Sequence, residues 1–98
     1  MIEIRKTDEF AQWLDGLRDI KARARVQARL DRMAEGNPGD VKPVGEGVSE
    51  LRIDFGPGYR VYFKSRGRVL IILLAGGDKS TQANDIKTAL RLARNLLE

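Results

Sequence analysis

The chain of 98 residues contains no cysteine and no histidine. The first absence excludes disulfides and thiolate metal sites, and the second removes the commonest general base and the commonest metal ligand. Chemistry must therefore come from Arg, Lys, Tyr, Asp or Glu, and no metal or other cofactor is expected. Long apolar runs are also missing. The longest, residues 69–75, is far too short to cross a bilayer, and the start MIEIRKTDEF lacks a signal-peptide apolar core. A cytoplasmic location with no membrane partner is the expectation. There is no internal repeat and no low-complexity tract. A chain this long builds one modest core, so residues 1–98 are read as a single domain.

What the chain does have is cationic charge. Its formal net charge is +4, with arginine favoured over lysine. The planar guanidinium fork suits phosphate and carboxylate, which points to nucleic acid or an acidic protein as partner. Many small domains are mildly basic, so the placement of the arginines matters more than their sum.

Residues 2–5 alternate like a short strand. Thr7 can cap a helix whose stripe is Phe10, Trp13, Leu14 and Leu17, with Trp13 read as core. Asp19 can cap a second helix with Ala22, Val26, Leu30 and Met33 on one face, ended by Gly36 and Pro38. Beside that face Lys21, Arg25, Arg29 and Arg32 form a basic row. The row is either the solvated side that any amphipathic helix needs or a surface that tracks phosphates. Residues 37–47, rich in Gly and Pro, read as a surface loop.

Residues 50–82 read as three strands separated by two glycine turns. With residues 56–58 at the first tip, Phe55 faces Tyr59, Ile53 faces Val61 and Leu51 faces Phe63 on a core face. The other face then pairs Asp54 with Arg60, Arg52 with Tyr62 and Glu50 with Lys64. Ser65, Arg66 and Gly67 form the second turn, so that Phe63 meets Val69 and Lys64 meets Arg68. Ile71 and Leu73 join the core face, while Leu70, Ile72 and Leu74 lie on the face of Arg60 and Tyr62. Gly76 and Gly77 are expected to end the sheet. Ser80 or Thr81 can cap a last helix with Ile86, Ala89, Leu90, Ala93 and Leu97 as its stripe. The order of elements is then β-α-α-β-β-β-α.

Arg52, Arg60, Tyr62 and Lys64 alternate with core residues and emerge on one face. Lys79 follows the third strand beside a helix N-terminus, where backbone N–H groups attract anions. Together these form a phosphate site. Alternatively, the carboxylates opposite them make simple cross-strand ion pairs on an exposed sheet.

Two stretches carry a wider resemblance: GDVKPVGEGVSELRIDFGPGYRVYF at 39–63, and AGGDKSTQ at 75–82 followed by DIKTA. Over nearly its whole length the chain resembles toxins of the RelE/ParE superfamily, most closely the phage-derived, HigB-like addiction-module killer branch. The resemblance implies an α+β fold, with a small antiparallel-rich sheet, two N-terminal helices packed on one face and a C-terminal helix. It implies the toxin of a type II toxin–antitoxin module. The activity implied is ribosome-dependent mRNA endoribonuclease, in which the 2'-hydroxyl attacks the adjacent phosphate.

Under that resemblance Arg60 stabilises the transition-state phosphate, Arg52 shares the work, and Lys79 binds phosphate or donates a proton. Tyr62 would stack on a base or hydrogen-bond. Lys64, Arg25, Arg29 and Arg32 would contact RNA. Relatives use a histidine or a late tyrosine, both missing here, so Asp78, Asp85, Asp54 and Lys79 all stand as bases. The partners implied are mRNA, the ribosome and a small helix-turn-helix antitoxin from the adjacent gene. The antitoxin would lie across Leu70 and Ile72 over Arg60, or displace the C-terminal helix. The superfamily's other branch inhibits DNA gyrase on the same fold, so a non-nuclease toxin is the alternative.

Overall fold

The computed structural model of the chain describes residues 1–96. The predicted caps of the first two helices form. The Thr7 hydroxyl accepts the Phe10 N–H at 3.1 Å and opens helix α1 (Asp8–Gly16), with Asp8 and Glu9 at the positive end of the helix. The same hydroxyl donates to the Leu74 carbonyl at 2.6 Å, which ties the helix start to the sheet. Asp19 accepts the N–H groups of Lys21 and Ala22 and opens α2 (Ile20–Ala34). Among the described residues no helix is long and apolar enough to cross a membrane.

Among the described residues five strands follow the order β1-β5-β4-β3-β2 across one sheet. They are β1 (Glu3–Lys6), β2 (Val41–Gly45), β3 (Val48–Ile53), β4 (Tyr59–Arg66) and β5 (Leu70–Asp78). Among the described residues only the β1–β5 pair is parallel. The expected elements all occur in the expected order, with one strand more. That strand, β2, lies inside the stretch read as a loop. Its Gly and Pro content masks a pairing in which Val41 meets Leu51 and Lys42 meets Glu50. As the outer strand, β2 tolerates Pro43 because one of its edges needs no partner.

Along β3–β4, and along β4–β5 as far as Leu73, the registers differ from the expected ones by an even number of residues. Ile53 pairs with Tyr59, Leu51 with Val61, Arg52 with Arg60 and Glu50 with Tyr62. Neither Asp54–Arg60 nor Glu50–Lys64 forms a pair. The tip is longer than expected because Phe55 leaves the ladder, packs against the core and lies under Arg25, whose guanidinium is 4.8 Å from the ring centroid. The second turn is also displaced, so that Arg66 meets Leu70 and Phe63 meets Leu73. Gly67 does supply a left-handed backbone there, at φ +60°. An even shift leaves the side chains of β3, of β4 and of β5 up to Leu74 on their predicted faces, whereas beyond Leu74 the alternation is inverted and Ala75 joins the α3 side.

A bulge separates the Phe63–Leu73 and Tyr62–Ala75 pairs, leaving Leu74 as the additional residue. Beyond it β5 runs straight through Gly76 and Gly77, which were expected to end the sheet. These glycines provide close approach. A Cβ on Gly76 would lie 2.1 Å from the Trp13 ring, and one on Gly77 would lie 1.8 Å from an Asp85 carboxylate oxygen.

The last helix, α3 (Gln82–Arg94), starts after a short 3-10 turn (Lys79–Thr81). Asp78 caps that turn through the Ser80 N–H at 2.8 Å, and Thr81 makes no capping bond with its side chain. Of the predicted α3 stripe, Ala89 and Ala93 are buried and Ile86 and Leu90 pack beside them, while Leu97 lies outside the described residues.

Two apolar layers result. Helices α1 and α2 bury Phe10, Leu14, Ala22, Val26, Leu30 and Met33 against Leu51, Ile53, Val61, Phe63 and Leu73. Trp13 is core-packed as expected, edge-on to Tyr59 with centroids 6.2 Å apart. On the other face α3 covers Val48, Tyr62, Leu74 and Ala75. Each fully buried Val, Leu or Phe contributes about 1.5–3 kcal/mol. The α1/α2 layer, which holds more of them, carries most of the stability.

Candidate functional site

At the end of the sheet where the β3–β4 loop meets the β5–α3 junction, a cleft of about 410 Å³ opens. Arg52, Arg60 and Lys79 line it together with Asp40, Asp54 and residues 56–58. Three of the predicted site residues thus meet in one place. Arg52 and Arg60 do so because they are cross-strand partners, and Lys79 because β5 delivers it beside Gly58, against which its stem rests.

The two arginines are held differently. Arg52 is half-buried and gives two hydrogen bonds to one Asp40 oxygen, at 2.7 and 3.2 Å. That contact holds the Asp40 carboxyl below its usual range and raises Arg52 above its ordinary value, the hydrogen bond being the main cause of each. Arg60 is only 7% exposed. Its Nη1 donates to the carbonyls of Gly58 and Tyr59 at 3.2 and 3.1 Å. Its Nε faces the buried Glu50 at 3.6 Å and makes no hydrogen bond. Lys79 is exposed at the rim.

The carboxylates also differ. Asp78 accepts from the Ser80 N–H and hydroxyl, and Asp85 accepts from the Thr81 hydroxyl, so both are engaged in shaping the chain that leads into α3. Asp40 is paired with Arg52. Asp54 is exposed and lines the cleft, and among the described residues it has neither a hydrogen bond nor an ion pair. Among the described residues no group of three or more carboxylates could hold a metal ion.

The remaining predicted residues lie elsewhere. Tyr62 is fully buried under α3 and has no ring face to offer a base, which corrects its expected stacking role. Burial, and then the carboxylates of Glu50 and Asp85, push its phenol well above the ordinary tyrosine range. It therefore stays protonated at neutral pH. Lys64 pairs with Val48, away from the cleft. On α2, Arg25 stacks on Phe55, and Arg29 donates to the carbonyls of Arg52 and Pro38 at 2.9 and 3.0 Å. Burial and then Arg32 lower Arg29 below its ordinary value, while Asp40 opposes them. Arg25 and Arg29 thus brace the wall of the cleft, and Arg32 is exposed beyond them. Leu70 and Ile72 are half-buried, Ile72 against the α3 layer.

Sequence reasoning missed Asp40, Glu50 and Gln82 as neighbours of the site. Asp40 carried no signal within a Gly/Pro-rich stretch. Glu50, between Ser49 and Leu51, was placed by alternation on the charged face as a partner of Lys64, with no sign that α3 would bury it.

Comparison with known proteins agrees with this architecture. Residues 12–98 match the family described as "Phage derived protein Gp49-like". A Haemophilus influenzae protein described as "Uncharacterized protein" is 53% identical over 95 residues, covering 97% of this chain and 96% of its own. The solved structure of the E. coli toxin RelE, an arginine-to-alanine double mutant in the free state, superposes with a TM-score of 0.76 at 14% identity. That superposition covers 97% of this chain and 98% of the other. The fold is thus RelE-like, and the chain belongs to the phage-derived Gp49-like family.

Proposed function

We propose that this chain is the toxin of a toxin–antitoxin module and that its cleft cuts messenger RNA on the ribosome. The observation that carries the reading is the convergence of Arg52, Arg60 and Lys79 on one cleft that also holds the unpaired carboxylate of Asp54. Cleavage by a neighbouring 2'-hydroxyl needs a base for that hydroxyl, cations for the phosphorane-like transition state and an acid for the leaving oxygen. Asp54 takes the hydroxyl proton as the 2'-oxygen bonds to phosphorus. Arg60, aided by Arg52, holds the charge on the equatorial oxygens. Lys79 protonates the 5'-oxygen as its bond to phosphorus breaks, which leaves a 2',3'-cyclic phosphate.

The buried setting of Arg60 strengthens its pull on that charge, because few waters compete for it. An antitoxin from the adjacent gene neutralises the toxin by covering the same cations with an acidic or amphipathic segment.

The test is tightly controlled expression with mapping of transcript 5' ends. Wild type is expected to generate new ends within translated messages. Arg60→Ala should lower cleavage by roughly 100- to 1000-fold, the usual cost of losing one transition-state donor. Intact messages, together with an Arg60→Ala chain as toxic as wild type, would sink the proposal. Loss of gyrase supercoiling in the presence of the purified chain would favour the non-nuclease alternative instead.

A further inference from the structure

Arg60 and Glu50 are the buried charged residues among those described, and only Arg60 lines the cleft. Glu50 is 1% exposed and sits behind Arg60, in the layer that α3 covers. A buried carboxylate is costly unless its oxygens are bonded or paired. Three groups converge on this one. The Gln82 side-chain amide donates to its Oε1 at 2.5 Å, the Tyr62 hydroxyl donates at 3.4 Å, and Arg60 Nε lies 3.6 Å away.

We infer that Glu50 is the positioning residue of the cleft, a buried carboxylate that sets the Arg60 guanidinium from behind and ties it to α3 through Gln82. The kinetic part of this inference rests on the nuclease reading above.

The contrast with Arg52 supports the assignment. Asp40 occupies Arg52 through direct hydrogen bonds, so a phosphate must compete for that side chain. Glu50 attracts Arg60 across a longer gap without a hydrogen bond to Nε, which orients the cation while leaving it able to bind an anion. The support is built into the fold at two points. Gln82 is the first residue of α3, and Gly77, the β5 partner of Arg60, lies directly beneath Asp85 of the same helix. The start of α3 and the back of Arg60 are thus parts of one packed unit.

Glu50→Gln keeps the shape and removes the charge. Three readings are combined. The first is single-turnover cleavage of ribosome-bound mRNA. The second is binding to the same complex carrying a 2'-deoxy residue at the mapped cut. The third is the Nε–H NMR signal of Arg60, assigned by its loss in Arg60→Ala. Glu50→Gln is expected to bind as tightly as wild type, or more tightly, yet to cleave roughly tenfold or more slowly, as expected for a misplaced catalytic group. Its Arg60 signal should shift and exchange faster, and the slowing should vanish in an Arg60→Ala background.

Wild-type cleavage by Glu50→Gln, or equal slowing with and without Arg60, would overturn the inference. If wild type itself cuts nothing, the nuclease reading falls and the Nε–H signal decides alone, an unmoved signal overturning the inference. Should Glu50→Gln fail to fold, Gln82→Leu removes a single support. It should slow cleavage and shift the signal in the same direction, and no change in either would likewise overturn the assignment.

Discussion

The two faces of the sheet are packed with different material. The α1/α2 face is filled by large apolar side chains such as Phe10, Met33, Leu51, Phe63 and Leu73. The α3 face meets the sheet through Ala89 and Ala93, and it holds the buried charges Glu50 and Arg60. Small residues let α3 lie close enough for Gln82 to reach Glu50. Large ones on the opposite face supply the burial that keeps the sheet in place while its other side carries polar groups. The difference teaches that stability and the candidate site are carried by separate layers sharing one sheet.

The most demanding challenge to that separation is Phe10→Ala. It should cost about 3–5 kcal/mol, read as a lower urea midpoint, while the folded fraction cleaves RNA at the wild-type rate. A folded Phe10→Ala chain that no longer cleaves would break the comparison. Gly76→Ala and Gly77→Ala sharpen it. Each forces a Cβ into occupied space, Gly76 toward Trp13 on one face and Gly77 toward Asp85 on the other. Both should lose about 1–3 kcal/mol in denaturant titrations. Only Gly77→Ala should also slow cleavage, because it lifts the start of α3 away from the strand residue paired with Arg60.

A smaller effect separates the layers by pH. The phenol of Tyr62 is raised above its ordinary 10.0 in the folded chain. Its contribution to stability is complete below that value and is lost as pH rises through the higher folded one. Unfolding midpoints should therefore fall above pH 10 in wild type, and Tyr62→Phe should flatten that fall. At the acid end, Asp40 and Glu46 are held below 3.8 and 4.5 by Arg52 and Arg94. What these pairs contribute is present above those values and is lost as pH falls through the depressed ones. Arg94→Ala, which breaks an exposed pair outside both layers, should leave the thermal midpoint within error at neutral pH.

Much of this arrangement was legible in the sequence. Thr7 and Asp19 cap as expected because a cap depends on residues only a turn away. Ala22, Val26, Leu30 and Met33 are all buried because helical spacing places them on one face whatever they pack against. Arg52, Arg60 and Lys79 were singled out by alternation and by position next to a helix start. The misreadings share a cause. Phe55, Gly76 and Gly77 were interpreted by local turn chemistry, yet Phe55 is drawn under Arg25 and the glycines are required by Trp13 and Asp85, partners distant in sequence. Tyr62 was expected to stack on a base because period-two alternation separates faces but does not show which part of a face another helix will cover.

The sequence by itself determined the caps of α1 and α2, the period of the helices and of β3 and β4, and the face on which Arg52 and Arg60 stand. These follow from backbone geometry within a few residues, and a shift of register by an even number leaves the faces intact. Only the tertiary structure decided the pairing of Arg52 with Arg60, the added edge strand β2 and the bulge at Leu74. It also decided that Glu50 and Tyr62 are buried beneath α3. Those outcomes depend on which surfaces meet across the sheet, and the free energy that selects among them comes from burial and close packing between residues far apart in the chain.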